Sequence, residues 1–159
     1  MRAHPDFSER PVTPADSDFL FQVYASTRKQ EVAAFGWPPG EIESFLRMQF
    51  DMRRRSYEMV FPDAIHSILL ADGIDAGAGI VCRSDTQIRL VDGAFLPEFR
   101  NRGLGTRRLQ RYISQAKAAG LPLRLSVMQG NPARRLYERL GFIAKSGDGL
   151  YTEMEYRGA

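Results

Sequence analysis

The sequence predicts a mixed α/β domain in which one sheet carries helices against its faces. Three observations carry this. Short apolar runs of strand length, such as "HSILLA" (66–71) and "LRLSVM" (123–128), alternate with longer stretches whose apolar residues recur at helical spacing. Glycine and proline stand where one pattern gives way to the other, as in "GWPPG" (36–40) and at Pro97. The resulting order is β-α-α-β-β-β-α-β-α-β-β, and 159 residues suffice for one domain, 1–159, with a real core.

Taken in order, "RPVT" (10–13) reads as a first strand, followed by a helix start at "TPAD" (13–16). Thr13 is its cap, Pro14 fits the first helical position, and Asp16 lies near the positive helix end. Phe19, Leu20, Val23 and Tyr24 mark the buried side of this first helix, which "GWPPG" ends. The second helix is expected from about Glu41 to Phe61, with Ile42, Phe45, Leu46 and Met52 as its stripe. Met48, Phe50 and Tyr57 lie off that face, so the helix either packs on two sides or lines a cleft with one of them. Strands follow at 66–71, 77–83 and 86–96, with Asp72-Gly73 as a turn and Pro97 as a stop. A helix over about 104–119 presents Leu109, Tyr112, Ile113 and Ala116, and Gly120 closes it. After the strand at 123–128, "NPARRLYERLG" (131–141) reads as a short helix capped by Asn131 and closed by Gly141. A terminal hairpin turns at Gly147-Asp148-Gly149.

Composition narrows the function. Hydrophobic residues make up 43% and charged residues 26%, which is globular. No apolar run is long enough for a membrane span, and "MRAHPDFSERP" has no apolar core of a secretory signal. A single cysteine, Cys82, forms no internal disulfide and fits a reducing, cytoplasmic compartment. His4 and His66 are the only imidazoles and neither neighbours Cys82, so no metal site is expected. Net charge is +3, but Arg100, Arg102, Arg107, Arg108 and Arg111 cluster, and Arg134, Arg135 and Arg139 form a second group. Guanidinium matches phosphate by geometry, which admits nucleic acid or a phosphorylated cofactor.

The first arginine cluster surrounds "FRNRGLGTRRL" (99–109), between a strand and a helix. No G-x-x-x-x-G-K-[ST] string exists in the chain. The dinucleotide pattern G-x-G-x-x-G fails because position 108 is Arg. The pattern R-x-x-G-x-G is met by Arg100-Asn101-Arg102-Gly103-Leu104-Gly105. There, bare backbone amides and a helix N-terminus point at one spot, which suits an oxyanion. A glycine-rich turn with solvated arginines is the other reading.

"DGAFLPEFRNRGLGTRRLQRYI" followed by "NPARRLYERLGF" resembles the GNAT superfamily of acetyl-coenzyme A-dependent N-acetyltransferases. The likeness is specific over residues 86–143 and fits the element order along nearly the whole chain. It implies a mostly antiparallel sheet of six to seven strands, splayed between the fourth and fifth, with helices on both faces. It further implies that Asn101 to Thr106, with Gly103, Leu104 and Gly105 between them, hold the coenzyme A pyrophosphate through backbone amides, flanked by Arg100 and Arg102. Ala94, Phe95 and Leu96 would pair with the pantetheine arm as another strand does. Gly93 is where a bulge opening the splay is expected. Asn131 matches a cofactor-contacting position and Tyr137 a position near the thioester sulfur. The step from Asn131 to Tyr137 is one residue shorter than in many members, so Asn131 also reads as a helix cap alone.

The implied reaction is direct acetyl transfer to an amine. It needs a base, an oxyanion donor and an acid. The amide of Phe95 or Leu96 is the expected oxyanion donor and Tyr137 the acid. Asp92, an expected unpaired carboxylate in a central strand, is the chosen base; pairing with Arg89 or Arg83 is its other reading. Glu31 is the rival base. Trp37, Gln49, Phe50, Asp51 and Tyr57 are candidates for the acceptor cleft. The acceptor is a small-molecule or peptide/protein amine, and a homodimer is the commonest state for such a chain. A non-catalytic acyl-CoA-binding module of the same fold is the rival class. Nucleic-acid binding is a poor third, because no nucleic-acid motif accompanies the arginines.

Overall fold

The computed structural model describes residues 4–147 and 149–157. Its elements are β1 (Phe7–Pro11), α1 (Ser17–Ala33), α2 (Pro39–Val60), β2 (Ile65–Ala71), β3 (Ile74–Arg83), β4 (Ile88–Phe95), α3 (Leu104–Ala119), β5 (Leu123–Met128), α4 (Ala133–Arg139), β6 (Ile143–Gly147) and β7 (Tyr151–Tyr156). Short 3-10 turns at Pro14–Asp16 and Pro97–Phe99 introduce α1 and the glycine-rich turn. The strands form one sheet in the order β1-β2-β3-β4-β5-β7-β6. All neighbours run antiparallel except β4 and β5.

Two layers cover the sheet. On one side Leu109, Tyr112, Ile113 and Ala116 of α3 pack on Ile88, Leu90, Leu123, Leu125 and Met154, with α4 residues Leu136 and Tyr137 against the same cluster. This is the stripe the spacing predicts, and Gly120 ends the helix in the left-handed conformation at φ 68°. On the other side α1 and α2 make their own core from Phe21, Tyr24, Val32 and Leu46. Met52 lies outside this stripe and is 60% exposed. Met48 is exposed too, so α2 packs along one side and turns Phe50 and Tyr57 toward a cavity.

Several boundaries differ from the sequence reading for physical reasons. The first strand is Phe7–Pro11, and Thr13 instead donates its backbone N–H to Asp16 at 2.8 Å in the turn before α1. "FSERP" lacks apolar alternation because Glu9 accepts from the Tyr112 hydroxyl of α3 at 2.8 Å. β3 starts at Ile74, since Asp72 and Gly73 both take positive φ and close a two-residue hairpin. α4 covers only Ala133–Arg139. The Asp148 part of the expected hairpin turn lies outside the described residues. The bulge in β4 falls at Val91, not Gly93: Ile80 pairs with Asp92 and Val81 with Leu90, which leaves Val91 unopposed.

Candidate active site

The parallel pairing of β4 with β5 is short. It joins Ile88, Arg89 and Leu90 to Leu123, Arg124 and Leu125 and then stops, one residue before the Val91 bulge. β4 runs on to Phe95 and β5 to Met128 with no ladder between them. A cavity of about 490 Å³ opens there. Its walls are α1, through Tyr24, Arg28 and Glu31, and α2, through Phe50, Arg53 and Tyr57. Asp92, Gly93 and Ala94 of β4 form its floor, and Met128 to Asn131 its rim.

Backbone direction decides which β4 groups face the gap. The Leu96 N–H donates to Ala76 C=O at 2.8 Å, on the β3 side. Alternate residues of an antiparallel ladder share a direction, so Ala94 points the same way, and Gly93 and Phe95 point toward the gap. Leu96 is therefore not available as an oxyanion donor. The Phe95 carbonyl is occupied as well: it accepts Arg100 Nε at 2.9 Å, while Arg100 Nη2 reaches Ser26 Oγ at 3.3 Å. That turns Arg100 back over the end of β4.

The glycine-rich turn follows. Asn101 (φ 62°) and Gly103 (φ 80°) both adopt the left-handed region, which costs a glycine nothing and reverses the chain before α3. The first α-helical bond to close is Arg107 N–H to Gly103 C=O at 3.0 Å. The preceding amides, Leu104 to Thr106, have no acceptor within the helix and project from its N-terminus. Leu104 contributes only backbone, since its side chain is 2% exposed and packs on Ala71 and Ala76. The arginines do not converge on the turn as their spacing suggested. Arg107 and Arg111 lie 3.8 Å from Asp6 and Glu9, and Arg108 is buried beneath the sheet. Arg102 lies over the Phe99 ring.

Three polar groups, Asp92, Arg53 and Tyr57, meet in the cavity beside the gap. Asp92 is not an unpaired carboxylate: Arg53 of α2 reaches it at 2.7 Å, and each side chain keeps about a third of its surface. Neither Arg89 nor Arg83 is its partner; Arg89 binds Glu153. Burial opposes the Arg53 charge, but Asp92 and the Tyr57 hydroxyl outweigh it and raise its pKa. Arg53 Nε donates to the Tyr57 hydroxyl at 3.1 Å, and burial with the Asp92 charge raises the Tyr57 pKa. Tyr137 is half-buried, its ring 5.8 Å from Phe142. Burial raises its phenol pKa, with Arg108 opposing and Asp92 adding to the rise.

The remaining candidates divide. Glu31 is exposed on the cavity wall, 3.4 Å from Arg28. Asn131 lines the rim, and its Oδ1 accepts the Ala133 N–H at 2.9 Å, which starts α4. Phe50 and Tyr57 line the cavity. Trp37 instead stacks with Phe35 and Phe45, Gln49 accepts from Tyr24 at 3.4 Å, and Asp51 is exposed on α2. Sequence reasoning missed Arg53, although Phe50, Arg53 and Tyr57 recur at helical spacing on one side of α2. It also missed that Arg108 interrupts the apolar stripe of α3.

The model for the Acetyltransferase (GNAT) family matches residues 37–142, two thirds of the chain. The chain belongs to the GNAT acetyltransferases. Solved GNAT structures share its fold end to end. The PaiA N-acetyltransferase of Thermoplasma acidophilum, crystallised in complex with coenzyme A, is 21% identical at TM-score 0.71, covering 96% of this chain and 99% of that one. An acetyltransferase of Thermus thermophilus is 22% identical at TM-score 0.65, covering 96% and 97%. The ribosomal-protein-S18-alanine N-acetyltransferase of Escherichia coli is 21% identical at TM-score 0.61, covering 96% and 94%. No curated protein matches this GNAT sequence. Among the described residues no helix is long and apolar enough to cross a membrane.

Proposed function

We propose that this GNAT protein moves an acetyl group from acetyl-CoA directly to a primary amine bound in the cavity between α1, α2 and the sheet. The observation that carries this reading is the gap between β4 and β5. It opens onto a cavity lined by two carboxylates, Asp92 and Glu31. At the same end of β4 a turn with left-handed Asn101 and Gly103 presents the free amides of α3.

In this reading the Leu104 to Thr106 amides receive the pyrophosphate. The open backbone of Gly93 and the Phe95 N–H pair with the pantetheine arm and polarise the thioester carbonyl. Asn131 keeps its Nδ2 for the cofactor while its Oδ1 holds α4. Asp92 takes the proton from the acceptor amine through water; it stands on β4 beside the gap, whereas Glu31 stands on α1. Glu31, on the opposite wall, draws the ammonium form of the acceptor into the cavity. The amine attacks the carbonyl carbon, the carbon–sulfur bond breaks with its electron pair on sulfur, and Tyr137 donates a proton to that sulfur.

The test is a thermal-shift titration with acetyl-CoA, NAD and ATP, followed by thiol release with a panel of amines. Acetyl-CoA at ~100 times its dissociation constant adds about 2.7 kcal/mol of stability, and the other two add none. No shift with acetyl-CoA overturns the reading. A shift without thiol release from any amine identifies the non-catalytic acyl-CoA-binding module.

A further inference from the structure

Arg108 is a strange residue to find where it is. It occupies the buried stripe of α3, between Leu104 and Tyr112, and only 7% of its surface is exposed. Its guanidinium lies flat under the facing pair Gly79 and Gly93 of β3 and β4. A Cβ at Gly93 would stand 2.1 Å from its Nη1, and one at Gly79 2.6 Å from its Nη2. Two glycines opposite each other therefore clear the space that holds this charge. Gly93 is also exposed to the cavity on the floor of the gap.

The charge is only partly satisfied. Nη2 donates to Asp92 C=O at 2.9 Å. Nε is buried with no hydrogen-bond partner, and Glu9 of β1 stands off at 3.8 Å, held by the Tyr112 hydroxyl and shared with Arg111. A buried charge whose partner stands this far off is costly to hold. This one faces, from α3, β1 and β4, the groups Tyr112, Glu9 and Asp92.

We propose that the Arg108 guanidinium is a fixed positive charge of the transfer site, placed under Gly93 to offset the negative charge that develops on the departing sulfur. The proposal rests on the acetyl-transfer reading. When the carbon–sulfur bond breaks, the electron pair stays on sulfur and the Tyr137 proton moves to it. The phenolate left behind is reprotonated from solvent. The charge on sulfur develops above a guanidinium whose position is already set, so no reorganisation accompanies it. Arg108 acts here as a positioning residue through field and through Asp92.

The test compares the affinities of coenzyme A and desulfo-coenzyme A for the intact protein between pH 7 and 10, by calorimetry. Burial alone disfavours a bound thiolate, so without a nearby cation the affinity ratio falls as pH rises. With Arg108 beside the sulfur the ratio rises, by about tenfold if the bound thiol ionises one unit lower. Arg108→Met abolishes the rise, Arg108→Lys keeps part of it, and Glu9→Gln, which retains Arg108 and removes its counter-charge, steepens it. A flat or falling ratio in the parent protein overturns the proposal, whatever the variants do. A parent rise that Arg108→Met retains, or that Glu9→Gln fails to steepen, overturns it as well. Failure of both nucleotides to bind instead overturns the acetyl-transfer reading.

Discussion

Arg53 of α2 meets Asp92 of β4 at 2.7 Å across the cavity floor, so a helix that walls the cavity also holds the carboxylate proposed as base. Removing the guanidinium leaves that carboxylate without the partner that fixes its orientation at the cavity floor. Arg53→Met should lower kcat/KM, while Arg53→Lys keeps part of it. Asp92→Asn loses about 10²-fold in rate, measured by thiol release at one pH. A parent-like rate in Asp92→Asn would remove Asp92 from the mechanism and leave Glu31 as the base.

Tyr137 separates binding from chemistry. Burial holds its phenol above the usual tyrosine range, so the proton is present at neutral pH for the leaving sulfur. Tyr137→Phe keeps the ring against Phe142 and removes only that proton. Turnover should drop by about 10²-fold or more, with coenzyme A affinity unchanged. Equal loss of both, measured by steady-state kinetics and calorimetry, speaks against the acid role.

Two glycines of the same ladder differ in what they make room for. A Cβ at Gly77 would meet the backbone oxygen of Ala94 at 2.2 Å, whereas one at Gly93 meets the far end of the Arg108 side chain. Backbone cannot step aside without disturbing β3 and β4; a guanidinium can. Gly77→Ala should therefore destabilise by about 3 kcal/mol and Gly93→Ala by about 1 kcal/mol, within the usual range for overpacking. Urea unfolding ranks them. The milder variant should nonetheless lose more activity per unit of stability, because it displaces Arg108 from beneath the gap.

Acid should weaken the far end of the sheet first. Hydrogen bonding from Arg157, aided by Arg124 and opposed by burial, holds Glu155 at about 2, against an ordinary 4.5. Asp16 is lowered in the same direction, chiefly by its paired bonds to Arg10. A depressed carboxylate contributes stability that is complete above its unfolded pKa and is lost as pH falls toward the folded one. The urea midpoint should thus decline from about pH 5 downward. Glu155→Gln lowers the midpoint at pH 7 and flattens that decline. An unchanged slope would show that the Glu155 bonds do not persist in solution.

The strand and helix order, the glycine-rich turn and the family likeness were all legible in the residues. Each is local: glycine at positive φ, proline at a strand end and apolar spacing act within a few positions along the chain. The places where that reading slipped are those where a distant partner decides. The first strand was misplaced because Glu9 is matched by Tyr112 from α3, more than a hundred residues away. The bulge falls at Val91, while Gly93 stays paired with Gly79 and leaves room for Arg108 from α3. The arginine cluster dispersed because Arg100, Arg107 and Arg111 each found an acceptor on another element. Sequence alone therefore determined which segments exist and which chemistry they suggest. Tertiary packing decided where each charge finds its counter-charge, because ion pairs and buried guanidinium groups are satisfied across the fold rather than along the chain.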